Sequence, residues 1–186
     1  RTSLAKKYYT VQQASYSKFN SDEYITRLLY LKSRRTALCS AIYMYRIDDS
    51  SITRKPSLKM MDYLVTNERL LWLAKYENVD DTIIVNIYNA FYVTCRDMKK
   101  KRIPQLDKKD QAVAYKLLND SLLKFKKNFN WKYLKGASVR TKIKFGLFLM
   151  SIRCSLVGGA RSSYYASKEI LRHLAIRNKQ VTIIIN

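Results

Sequence analysis

The sequence predicts an all-α fold: a bundle of five or six helices with a basic N-terminal arm and a short extended C-terminal tail. Three observations carry that expectation. Only 4 glycines and 2 prolines occur in 186 residues, well under the ~7% and ~5% of average usage, which disfavours a fold built on tight turns. Apolar residues recur at spacings of three and four, the period of a helix with one buried face. Residues suited to helix starts stand ahead of those stretches, among them Asn20, Ser57, Asp107 and Ser138. An apolar content of 47% is enough for one ordinary domain, here placed at residues 21–178 between an arm (1–20) and a tail (179–186).

Residues 1–20 hold Arg1, Lys6, Lys7 and Lys18 with no acid, and Tyr8, Tyr9, Tyr16 and Phe19 interleave them. Such a segment can lay cations on phosphates and rings on sugars or bases; the plainer alternative is a terminus whose rings dock on its own core. A first helix is expected from about residue 21 to 46, with Asn20 and Glu23 as a capping pair and Tyr24, Leu28, Leu31, Leu38, Ile42 and Tyr45 inward. Residues 48–56, polar and ending at Pro56, read as a loop.

Ser57 can cap a second helix to about Tyr76, with Met61, Leu64, Val65, Leu71 and Trp72 inward and a blurred pattern at Thr66 and Asn67 that allows two pieces. Residues 78–81 open a third, whose stripe is Ile84, Ile87, Tyr88, Phe91, Cys95 and Met98. The run at 82–85 would also suit a strand, but the later periodicity outvotes it. Asp107 and Asp110 fit the start of a fourth helix with Tyr115, Leu118, Leu122, Phe125 and Phe129 inward. Ser138 caps a fifth, through Ile143, Leu147, Met150, Cys154 and Val157 to Gly158. Residues 162–178 read as a sixth, with Ile170, Leu171 and Leu174 inward. The β-branched stretch 181–185 would aggregate if left alone, so it is expected to pair with another chain or its own domain.

Charge sorts the functional classes. Thirty-six Lys and Arg face fourteen Asp and Glu, a formal charge of +22, which repels itself in a free domain and is relieved by a polyanion. The excess is uneven: four bases and no acid in residues 1–20, eleven and ten in 21–98, twenty-one and four in 99–186. The expected nucleic-acid ligands are therefore Lys6, Lys7, Tyr8, Tyr9, Lys18, Arg34, Arg35, Lys99, Lys100, Lys101, Arg102, Lys126, Lys127, Lys132, Lys135, Arg140, Lys142, Lys144 and Arg161. The run 99–102 follows a helix end, where the macrodipole accounts for one or two cations but not four; a localisation signal or a solvated loop are its alternatives. Arg140, Lys142 and Lys144 oppose the macrodipole at a helix start, a sign that an anion would reverse, unless the helix begins later.

No recognition code is legible, so contacts are expected to phosphate and sugar, without sequence specificity. Catalysis is not expected. His173 is the single histidine, no serine or cysteine stands in a nucleophile motif, and the acidic pairs 22/23, 48/49 and 80/81 suit caps and loops better than a metal. Cys39, Cys95 and Cys154 read as buried thiols, and no cofactor, metal or membrane-spanning run is indicated.

The expected function is to coat or package DNA or RNA as one of many copies, in a virion or an intracellular nucleoprotein particle. The alternatives are a structural protein of an organellar ribosome and a viral matrix or anionic-membrane-surface protein. In general character, a basic arm ahead of a helical bundle resembles the helical coat proteins of filamentous archaeal viruses, which implies wrapping of double-stranded DNA; no site residue is carried over.

Overall fold

The computed structural model describes residues 2–8, 17, 20–37 and 56–157. The fold is all-α: the described residues hold six α-helices and four short 3-10 or π turns, with no strand among them. The helices are α1 (Thr2–Tyr8), α2 (Ser21–Lys32), α3 (Asp62–Tyr76), α4 (Asp81–Asp97), α5 (Lys108–Asn128) and α6 (Val139–Val157). The chain divides into two compact units, Arg1–Phe125 and Lys126–Asn186. Residues 158–186, which include the expected sixth helix, His173, Arg161 and the apolar tail, lie outside the described residues.

In the first unit α3 and α4 pack together, α2 packs on α3, and α1 packs on α2. Of the expected arm, Tyr8 lies against a cluster of Tyr24, Ile25, Leu28 and Leu73. A helix of seven residues is too short to persist alone, and this ring contact supplies the tertiary support. The first helix stops at Lys32, not near residue 46. Ser33 turns to extended backbone (φ −83, ψ 138), and its N–H and hydroxyl fold back on the Tyr30 carbonyl at 3.3 and 2.9 Å. Lys32 Nζ is fixed by both carboxylate oxygens of Glu77 at 2.7 Å. Leu38, Ile42 and Tyr45 are outside the described residues, and Leu31 is exposed instead of inward. The capping pair also differs: the Asn20 side chain makes no capping bond, Ser17 Oγ accepts the Asn20 N–H at 2.9 Å, and Glu23 is drawn to Arg27 at 2.9 Å.

A 3-10 turn, Leu58–Met61, leads into α3, and the Ser57 side chain does not cap it. The helix runs unbroken through Thr66 and Asn67: the buried Thr66 hydroxyl donates to the Asn20 carbonyl at 3.2 Å, and Asn67 donates to the Tyr63 carbonyl at 2.8 Å. Val65 and Trp72, expected inward, are exposed, and Trp72 stacks on Tyr76 one turn away at 5.1 Å. At the end of α3, Asn78 takes the left-handed conformation (φ 50). The N–H groups of Asn78 and Val79 then reach back to the carbonyls of Lys75 and Ala74, the paired bonds of a Schellman stop.

The ambiguous stretch 82–85 is helical. Asp80 caps α4, its carboxylate accepting from the Thr82 hydroxyl and, at 2.7 Å, from the Thr82 N–H. Those two bonds, the hydroxyl first, hold the Asp80 carboxyl below the usual carboxylate range. A depressed carboxyl contributes stability above its unfolded pKa and loses it as pH falls through the folded value. Asp80→Ala is therefore expected to lower Tm at pH ~6, with the gap from the parent closing towards pH ~2; thermal melts across that range check it, and a constant gap would rule out the cap.

Ile84, Tyr88, Phe91 and Cys95 on α4, and Met98 just after it, are buried as the periodicity predicts. Burial, with Glu68 adding to it, pushes the Cys95 thiol far above its ordinary pKa, the state of an inert thiol. From α5, Phe125 stacks on Phe91 (centroids 4.3 Å, planes 4° apart) and meets Tyr88 edge-on at 5.3 Å. Ala114, Leu118 and Ser121 complete that buried face, while Tyr115 points outward. Asp107 Oδ1 accepts the Asp110 N–H at 2.8 Å, the predicted start of this helix.

In the second unit Phe129 meets Trp131 edge-on at 5.2 Å and Phe145 at 5.7 Å. Asn130 caps a 3-10 turn, Trp131–Leu134, by accepting the Lys132 N–H at 2.9 Å. Ser138 does cap α6: its Oγ accepts the Thr141 N–H at 3.3 Å. The buried face of α6 carries Phe145 and Ile152, not Ile143 and Met150, which are exposed. Either stripe repeats at helical spacing, and the side that buries is the one whose Phe145 meets Phe129.

Candidate polyanion-binding surface

α4 ends in a π turn, Met98–Arg102, followed by a 3-10 turn, Ile103–Gln105. The Ile103 N–H reaches the Met98 carbonyl five residues back. That wider loop lets Met98 and Ile103 both be buried, so Lys99, Lys100 and Lys101 are pushed outward together and are exposed. Asp97 tempers the group: Arg102 Nε lies 3.2 Å and Lys101 Nζ 3.5 Å from its carboxylate. Two of the four cations thus share one internal anion.

Elsewhere in the first unit Lys6 and Lys7 are exposed on α1 and Arg34 and Arg35 just beyond α2. Tyr8 is half-buried, with Lys7 Nζ 5.3 Å from its ring centroid, so its face is not offered freely to a base. Tyr9 and Lys18 lie outside the described residues.

The second unit is different in kind. Residues 126–157 contain eight Lys and Arg and not one Asp, Glu or His. Lys126, Lys127, Lys132, Lys135 and Arg140 are exposed, and Lys142 and Lys144 half-buried. Lys132 Nζ stands 4.7 Å from the Tyr133 ring and Lys144 Nζ 5.2 Å from that of Phe145. Lys142 Nζ donates to the Lys135 carbonyl at 2.9 Å, tying the helix start to the turn before it. Because α6 begins at Val139, Arg140 and Lys142 do sit in its first turn, against the positive end of the macrodipole.

The apolar side of this surface was not legible from residue spacing. Val139 is 71%, Ile143 38%, Met150 53% and Trp131 50% exposed. At about 100° per residue, Val139, Ile143, Gly146 and Met150 fall in one sector of α6, opposite Phe145 and Ile152. Arg140 flanks that sector on one side and Lys142 on the other. A Cβ built at Gly146 would lie 3.8 Å from Cη2 of Trp131, so the indole covers the one gap in the stripe. The glycine was the available signal, since it weakens the outer stripe as a core face. Among the described residues no helix is long and apolar enough to cross a membrane, and no group of three or more His, Cys, Asp or Glu comes together.

Compared with known proteins, the chain matches no family model, no curated protein and no solved structure.

Proposed function

We propose that this is a structural, non-catalytic protein that attaches to phosphate-bearing polyanions, chiefly through its second unit. The observation that carries the reading is the stretch 126–157, with eight cations and no carboxylate. Most surfaces of this charge density interleave acids that damp the repulsion; here the neutralising charge has to come from a partner. Phosphate suits it twice over, because an anion at the start of α6 also meets the exposed N–H groups and offsets the adverse placement of Arg140 and Lys142.

Nucleic acid is the first such partner. On that version the protein coats or packages DNA or RNA in many copies, through backbone contacts that carry no sequence information; RNA of an organellar ribosome would engage the same cations. The exposed Lys99, Lys100 and Lys101 favour nucleic acid for the first unit, since no exposed apolar residue interrupts them.

A titration of the full chain with double-stranded DNA, single-stranded RNA and inorganic polyphosphate at rising salt tests the reading. The expected result is binding to all three, with log K falling linearly against log salt and little dependence on base sequence. Indifference to all three at low ionic strength would sink it.

A further inference from the structure

We infer that the outer face of α6 seats the second unit in the headgroup region of an anionic phospholipid bilayer. This rests on the phosphate reading above and names a partner for the same surface. A nucleic-acid backbone explains the cations but leaves the aliphatic stripe idle, since phosphates and sugars offer nothing apolar for Val139, Ile143 and Met150 to enter. A bilayer satisfies both halves: apolar side chains gain by passing into the acyl boundary, and headgroup phosphates stand on either side of them.

The arrangement around the stripe has the right order. Arg140 and Lys142 border it on opposite flanks, and stems of that length can lie along an apolar surface while their charged ends stay at headgroup level. Trp131 sits over Gly146 with half its surface exposed, edge-on to Phe129. An indole is amphipathic and favours the boundary between water and hydrocarbon. The absence of carboxylates from 126–157 matters here more than the number of lysines, because a single acid beside the stripe would meet a sheet of like charge. α6 is too polar to span, which leaves it lying in the plane of the surface. The complement of an apolar band bordered by cations on both sides is an apolar layer roofed by anions.

The experiment uses the full chain carrying Trp72→Phe, so that fluorescence reports Trp131 alone, with vesicles of phosphatidylcholine containing phosphatidylglycerol. Binding to these vesicles, a blue shift of Trp131 emission and quenching by brominated acyl chains are expected, and none of the three with phosphatidylcholine alone. Ile143→Gln with Met150→Gln, which removes apolar surface without adding charge, should weaken vesicle binding by roughly tenfold or more per residue while leaving polyphosphate binding as it was. Val139→Gln repeats the test at the most exposed position, where folding has least at stake. Unchanged vesicle affinity in these variants, or unmoved Trp131 emission in vesicle-bound protein, overturns the inference. If vesicles are ignored while DNA or polyphosphate binds, the bilayer is the wrong partner and the phosphate reading stands; if nothing binds, both are lost.

Discussion

Replacing Phe125 with alanine is expected to cost about 3–5 kcal/mol of stability, the range for truncating a buried aromatic side chain whose surroundings collapse only in part. The residue is 3% exposed and packs against two rings, stacked on Phe91 at 4.3 Å and edge-on to Tyr88 at 5.3 Å. Its loss opens a void between two helices and also forfeits ring interactions worth more than their area alone. Against a total of about 5–15 kcal/mol for a domain, that is a large share. A fall in Tm on the order of ten degrees is the expected reading. Leu117→Ala, on the exposed side of the same helix, should stay within about 0.5 kcal/mol of the parent. A Phe125→Ala protein that melted with the parent would mean that the stack does not hold α5 in place.

The second large effect concerns charge. Exchanging Lys126, Lys127, Lys132 and Lys135 together for glutamine is expected to flatten the salt dependence of duplex binding by about 0.9 in slope for each phosphate that is no longer neutralised. On anionic vesicles the same change should remove roughly 1 kcal/mol per lysine. All four are exposed, so folding has little to lose. The comparable exchange of Lys99, Lys100, Lys101 and Arg102 should do less, because Asp97 already neutralises part of that group. A slope that does not move on exchange of the second-unit set would take that unit out of the interface, and equal losses from the two sets would show that Asp97 does not damp the first.

The fold class was legible because helical periodicity survives wherever one face alone is apolar. α4 is the clear case: Ile84, Tyr88, Phe91 and Cys95 admit a single choice of inner face, and those residues are buried. α6 is the opposite case. Its apolar residues run round most of the helix, so Ile143 with Met150 and Phe145 with Ile152 compete, and spacing cannot decide which stripe has neighbours. Trp72 was misplaced for a related reason, since size suggests burial while Tyr76 one turn on provides an alternative partner outside. α2 is shorter than its stripe suggests because the apolar spacing continues past Ser33, whereas the helix stops where Ser33 turns to extended backbone and bonds back to the Tyr30 carbonyl. Of the candidate surface, the cations were readable as a set of positions along the chain. Their division by Asp97, and the aliphatic stripe between Arg140 and Lys142, needed three dimensions.

The make-up of the second unit bears on how its attachment could be regulated. With neither a carboxylate nor an imidazole between residues 126 and 157, the charge of that stretch is carried by lysine and arginine alone. Control has to come from outside it: from the ionic medium, from how densely charged the partner is, or from covalent capping of lysine amines, which alone among these could switch the attachment one side chain at a time.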